Sequence, residues 1–200
     1  MNYKDTTPTP TDDTRWYYQI TTTTNFTSMP DDDFIIRFPA NAVISAGEYI
    51  TIGIKGSAKF NTMYGFFPDY IIPANDTDNS ATRMLGYTTS NMGNAGLTND
   101  GEEVILLYWD NVSPLIKDID YVIWGSKKEA CDKTGISING SSYLSDTSIS
   151  QQEVIKSSAH DNLKSFQRMW NSEGTEKKSN GNGLTQHDET SEPFSKTWTY

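Results

Sequence analysis

Alternation of apolar and polar residues is clearest in the middle of the chain. From Glu103 to Trp109, Val104, Leu106 and Tyr108 alternate with Ile105, Leu107 and Trp109. With apolar residues on both faces, this stretch predicts an interior strand. It follows Asn99-Asp100-Gly101, residue types that tolerate the left-handed backbone of a tight turn. A second breaker cluster, Asp110 to Pro114, precedes Ile119, Tyr121 and Ile123, which alternate with Asp118, Asp120, Val122 and Trp124. The two blocks predict a hairpin with one acidic shoulder.

Weaker alternation fills the flanks. Trp16, Tyr18 and Ile20 predict a short strand that β-branched Thr21 to Thr24 could prolong. Phe34, Ile36 and Phe38 predict another, stopped by Pro39. Ile50, Ile52 and Ile54 form an inward face against Tyr49, Thr51 and Gly53. Ser57 as N-cap, Phe60 and Tyr64 one turn apart, and Gly65 as terminator predict a short helix. Asp69 to Met92 is a long polar connection of the kind that carries function or mobility. Lys127 to Asp146 is a second loop region, with Asp146 placed to cap a helical turn through Ile149 to Val154. The final strands fall at Ser165 to Trp170 and near Thr197 to Tyr200. Residues 1–14, rich in Thr, Pro and Asp, read as a polar lead-in or loop remnant, and 15–200 as one domain. Short strands between turn clusters predict an all-β, antiparallel sandwich with one or two short helical turns, although pattern alone does not separate sandwich from barrel.

Charge narrows the partners. Lys and Arg number 16 against 26 Asp and Glu, a formal charge of −10, which disfavours nucleic-acid phosphates and anionic membrane surfaces. No apolar run approaches the ~20 residues of a membrane span, and Met1 to Pro10 lacks the apolar core of a signal peptide. Cys131 is the only cysteine, so an intrachain disulfide, a thiolate cluster and a C-x-x-C pair are excluded.

Candidate chemistry is sparse. Neither His160 nor His187 sits in a signature that selects a catalytic base, and Gly135-Ile136-Ser137-Ile138-Asn139 departs from G-x-S-x-G at its last position. Cys131, in a polar loop beside Asp132, reads as incidental. Asp76, Asp78 and Ser80 have the alternate spacing that opens a calcium loop, but Ala81 replaces its glycine and Tyr87 its bidentate Glu. Asp76 and Asp78 therefore remain weak calcium candidates, and two scattered histidines provide no zinc motif. Asp118 and Asp120 share a strand face about 7 Å apart, the separation of an inverting glycosidase pair. Apolar neighbours favour a structural partnership with a buried cation instead. Trp170 and Trp198 read as packing residues before sugar platforms.

The stretches GLTNDGEEVILLYWD, DIDYVIWG, DKTG, SFQR and NGNGLTQHDETSE, followed by Trp198, occur in that order from about Arg15 onward. The series resembles a lamin-tail domain of the type found in bacterial exported proteins. The resemblance implies an immunoglobulin-like sandwich, an extracellular or cell-surface location and a non-enzymatic interaction or attachment role. Its partner would be a macromolecule, a protein or a cell-surface component, with no cofactor. A carbohydrate- or calcium-binding sandwich is the alternative, and an accessory part of a hydrolase the third reading. Strands that open such domains are not found here, which leaves an unpaired edge expected to promote self-association. Arg168 shares a strand face with Phe166 and Trp170, so a partly buried guanidinium needs a carboxylate, from Asp120, Asp132 or the Asp188 to Glu192 cluster. Asn180 to Glu192 reads as a tight crossover, in which Gly181 and Gly183 permit unusual backbone angles and Asp188 accepts local hydrogen bonds. The competing reading makes His187, Asp188, Glu189 and Glu192 a surface site for a cation or a basic partner.

Overall fold

A computed structural model describes residues 17–22, 34–86, 95–161, 164–169 and 173–200. The chain divides into two compact units, residues 1–23 with 98–200, and residues 24–97. The fold is β-rich, with short strands and few helices.

The first unit is built on the predicted hairpin. Strands β6 (Gly101–Tyr108) and β7 (Lys117–Gly125) pair antiparallel, with Val104 opposite Val122 and Ile105 opposite Tyr121. The pairing shifts between Leu106 and Leu107, which leaves Ile119 as an extra residue between Asp118 and Asp120. The expected double burial of β6 is corrected: Leu106 and Tyr108 are exposed, and the strand has β7 as its one paired neighbour among the described residues. Strand β7 is the better covered. On its far side the Asp118 N–H donates to the Asn182 carbonyl and Leu184 N–H to Asp118, while Ile155 and Gly125 exchange bonds with Ile123 and Lys156. Irregular backbone thus satisfies the edge that a regular strand would otherwise have to cover.

The turns differ in detail from expectation. Left-handed backbone falls at Gly125 (φ 74°), opposite Gly101, and at Asn111 (φ 62°), whereas Asn99, Asp100 and Gly101 have ordinary angles. A Cβ on Gly125 would lie 2.1 Å from the Asp100 carbonyl oxygen, so the open end of the hairpin, where Gly125 faces Gly101, accepts only glycine. Asp110 accepts Val112 N–H, Ser113 N–H and the Ser113 hydroxyl, and these bonds hold its carboxyl down to about 2. Tyr17–Gln19, expected as strand, is a 3₁₀ turn whose Tyr17 and Tyr18 are buried, because tertiary burial of both rings overrides the alternation. The loop after β7 contains a 3₁₀ turn at Lys127–Glu129 and the small hairpin of β8 (Ser137–Ile138) and β9 (Ser141–Ser142). Asp146 caps no helix: its carboxylate accepts the Lys133 N–H instead, and residues 149–154 contain no helix. The chain ends with β10 (Gln167–Arg168) antiparallel to β11 (Trp198–Thr199), reached through helix α2 (Phe194–Thr197). Trp170 lies outside the described residues.

The second unit corrects the all-antiparallel expectation. Strands β2 (Ile52–Gly53), β3 (Tyr70–Ile71) and β4 (Thr82–Arg83) form a parallel sheet, while β1 (Ile36–Arg37) and β5 (Leu85–Gly86) pair antiparallel. Parallel pairing of β2 with β3 follows from α1 (Ser57–Tyr64), which carries the chain from the end of β2 back to the start of β3, and that of β3 with β4 from a return through the 3₁₀ turn at Pro73–Asn75. The proposed isoleucine face is inverted at its centre: Ile52 is exposed and Gly53 is buried, with Ile71 and Pro68 filling the space its side chain would take. Phe34, Ile72, Met84 and Ala95 form the core of this unit. Helix α1 occupies the predicted span and ends at left-handed Gly65, but Gly56 is its N-cap. The Asp69 to Met92 connection contains β3, a 3₁₀ turn, β4 and β5, so it is ordered structure as far as Gly86; residues 87–92 lie outside the described set.

Candidate functional site

Two buried charge networks lie in the first unit. The first centres on Lys133, fully buried, whose ammonium lies 2.6 Å from Asp118 Oδ2, 2.9 Å from Asp146 Oδ2 and 2.9 Å from the Tyr17 hydroxyl. Burial by itself would lower the lysine, but the Asp118 and Asp146 carboxylates outweigh it and raise its affinity for the proton. The ammonium is held charged and its donors are directed at oxygens. Such a group orders the loop after β7 against β7 itself. Asn182 joins by donating 2.6 Å to Asp146 Oδ1. Asp118 Oδ1 receives no hydrogen bond among the described residues.

The second network is acidic. Arg168, from β10, donates to Asp120 at 2.9 and 3.1 Å and to Glu192 at 2.7 Å, while its guanidinium lies 4.9 Å from the Trp198 ring centre. Trp198 Nε1 also donates to Glu192 at 3.1 Å, so this tryptophan is a packing residue. Of the alternatives open in sequence, Asp120 and, from the Asp188 to Glu192 cluster, Glu192 are the partners, with Glu173 Oε1 at 3.7 Å as a further neighbour. Asp132, the other candidate, accepts Thr134 N–H in a local turn. Burial pushes Asp120 and Glu192 up, and Arg168 offsets part of that rise for both.

Beyond Arg168 the compensation stops. Glu173, Glu176 and His187 bring ligand atoms within 4.8 Å of one another, and Glu173 also meets Asp120 and Glu189 within the same limit. His187 Nδ1 lies 3.2 Å from Glu176 Oε2 and 3.7 Å from Glu173 Oε2. Both carboxylate oxygens of Glu176 are buried and receive no hydrogen bond among the described residues. Burial, reinforced by Glu173 and Glu189, pushes Glu176 up to about 9; burial, with Glu173 and Asp120, pushes Glu189 up to about 8.

Backbone geometry builds this cluster. Residues Glu173 to Glu176 form a turn, closed by Glu176 N–H donating to the Glu173 carbonyl, with Gly174 at φ 66°. The Asn180 to Glu192 crossover then brings His187 back, through Gly183 N–H to the His187 carbonyl and Asp188 N–H to Lys177. Gly181 and Gly183 are not left-handed; they are needed for close approach, since a Cβ would lie 2.1 and 2.8 Å from the His187 oxygen. The unusual angles fall on Asn180 (φ 60°) and Gln186 (φ 70°). Asp188 accepts the hydroxyls of Thr147 (2.8 Å) and Thr190 (2.6 Å) and the Lys177 ammonium (3.1 Å). Burial would raise it, but these donors together bring it below its ordinary value. Of the proposed surface quartet, Asp188 and Glu192 therefore have structural partners, and His187 and Glu189 face the acidic cluster.

The remaining candidates have local partners. Asp76 accepts Ser57 N–H (2.9 Å), the Ser57 hydroxyl lies between Asp76 and Asp78, and Arg83 pairs with Asp76 at 3.7 Å. These carboxylates hold the first turn of α1, where the helix dipole favours negative charge. His160 packs against Phe166 and Tyr200. Cys131 is buried instead of lying in an open loop, with its Sγ 3.5 Å from Glu103 Oε2. Lys133, Glu173 and Glu176 were missed in sequence. The signal for the last two was Glu-x-x-Glu followed by His-Asp-Glu, hidden by the Gly- and Asn-rich composition around them.

No protein-family model matches the chain, and comparisons with curated proteins and with solved structures also find no match. No helix among the described residues is long and apolar enough to cross a membrane.

Proposed function

We propose that this chain is a non-enzymatic, lamin-tail-like interaction module of a bacterial exported or cell-surface protein, with an immunoglobulin-like sandwich as its framework and a protein as its partner. What supports an interaction role is the surface of α1 and the turn after it. Met63, Tyr64, Phe66 and Phe67 are 71, 62, 50 and 46% exposed, and Phe60, Tyr64 and Phe66 lie within 4.5–6.4 Å of one another. A cluster of exposed aromatic and Met side chains has the composition of an interface core, and its burial by a partner would release water from apolar surface. A sugar ring stacks on a flat aromatic face. Here the ring planes diverge by 46, 78 and 48°, and this favours an irregular protein surface over a glycan.

The test is site-specific photo-crosslinking in the host cell. A photoreactive residue at Met63 should yield one reproducible protein adduct, abolished by Phe66→Asp, while the same probe at Thr185 yields none. The same adduct from both positions, or none from Met63, would overturn the reading. Glycan-array binding lost in Tyr64→Ala would replace it with the carbohydrate alternative.

A further inference from the structure

We propose that Glu173, Glu176 and His187 form a binding site for one divalent transition-metal ion, of the zinc or manganese class. The observation that separates this cluster from an ordinary acidic surface is Glu176. Its side chain is fully buried, and its two oxygens, which receive no hydrogen bond among the described residues, face Glu173 and His187. A buried carboxylate without a donor is costly, and native structures keep such groups where a cation or an ordered water completes them.

Geometry fits a metal ion. Ligand atoms about 2.1 Å from an ion are separated by about 3.0 Å at octahedral and about 3.4 Å at tetrahedral angles. His187 Nδ1 stands 3.2 Å from Glu176 Oε2 and 3.7 Å from Glu173 Oε2, so small side-chain adjustments would place all three around one ion. Neither Arg168 nor Lys177 fills the place. Arg168 is spent on Asp120 and Glu192 and reaches Glu173 only through Oε1 at 3.7 Å, which leaves Oε2 towards His187. Lys177 is spent on Asp188 and Thr147. The second acidic group, Asp120, Glu173 and Glu189, already has Arg168 on Asp120, so the ion belongs on the Glu176 side.

Donor chemistry selects the metal. Calcium and magnesium favour all-oxygen sets, whereas one imidazole with two carboxylates suits zinc, manganese or ferrous iron. Glu173 and His187 are partly open to solvent, which provides an entry path and room for water ligands. This site is in the first unit and α1 is in the second, so the inference stands apart from the proposed function.

Untagged full-length protein, stripped with EDTA and dialysed, would be titrated calorimetrically with ZnCl₂, MnCl₂, CaCl₂ and MgCl₂ and its melting followed. Zinc or manganese should bind with one-to-one stoichiometry and raise Tm. Glu176→Gln should stay folded, melt at a higher temperature than the stripped wild type and bind the ion at least tenfold more weakly. His187→Gln should abolish the visible absorption of the cobalt-substituted protein. If Glu176→Gln fails to fold, Glu173→Gln takes its place with the same expected loss of affinity. Absence of saturable binding, preference for calcium or magnesium, or wild-type affinity in the Glu and His variants would each overturn the proposal.

Discussion

Lys133 and Glu176 are both buried charged side chains in the same unit, yet their surroundings are opposite. Around Lys133, two carboxylates and a phenol converge within 2.9 Å, so the desolvation of each charge is offset by a neighbour of the other sign or by a hydrogen bond. Around Glu176 the neighbours are two further glutamates and a histidine; His187 Nδ1 stands 3.2 Å from Oε2, but neither oxygen accepts a hydrogen bond among the described residues. The first arrangement is complete as it stands and makes structure. The second lacks such a complement among the described residues, and this is the contrast on which the proposed metal site rests.

The sharpest way to break the contrast is to remove the lysine. Lys133→Ala leaves Asp118 and Asp146 buried without their cation and should cost about 3–5 kcal/mol in urea unfolding. Wild-type stability in that variant would mean that water enters and the network is not a true buried pair. Arg168→Ala is the intermediate case, since its side chain is 20% exposed and one acceptor, Asp120, is 36% exposed while the other, Glu192, is buried. A loss of about 2–3 kcal/mol is expected, with Asp120→Asn and Arg168→Ala together costing less than their sum. Glu176→Gln should act with the opposite sign and stabilise metal-free protein by about 1–2 kcal/mol at pH 8. Destabilisation there would show that the charge is satisfied and that the two networks are alike.

Acidity provides the finest probe. In EDTA, Glu176 and Glu189, at about 9 and about 8, bind protons in the folded state that the unfolded chain has released above its ordinary value near 4.5. Their contribution is therefore fully present at low pH and is lost as pH rises from about 5 to about 9. Asp188, held below 3.8, contributes above that value and loses its effect only as pH falls through its folded value. The urea midpoint of metal-free protein should thus decline between pH 5 and pH 9, and Glu176→Gln should flatten the slope. A midpoint that rises over this range in wild type would contradict the assignment of uncompensated carboxylates.

Legibility in sequence followed the range of the interaction. The β6–β7 hairpin could be read because alternation and breaker residues are local, and α1 because Phe60, Tyr64 and the terminator Gly65 lie close together, although the N-cap is Gly56 and not Ser57. The Arg168 network could be read because an arginine on an apolar strand face demands a carboxylate, which left few candidates. Lys133 could not: it stands in a polar loop, and its partners include Tyr17, 116 positions away. The parallel sheet was equally hidden, since the same short strands can pair in either direction and only the crossovers between them, α1 for β2–β3 and the 3₁₀ turn for β3–β4, decide. The reason for glycine at 181 and 183 is hidden in sequence, because close backbone approach leaves no trace that distinguishes it from left-handed geometry. Glu173 and Glu176 gain their meaning only when the crossover returns His187 to them.

The burial of Cys131 turns the only thiol of the protein into a clock. With the side chain sealed against Glu103, a thiol reagent in native buffer can react only when the first unit opens. Under conditions where closing outpaces labelling, the modification rate divided by that of an unfolded reference gives the opening equilibrium directly, with no denaturant and no introduced probe. Each substitution in either charge network, and each metal ion added, can thus be followed as a change in how long one sulfur stays hidden.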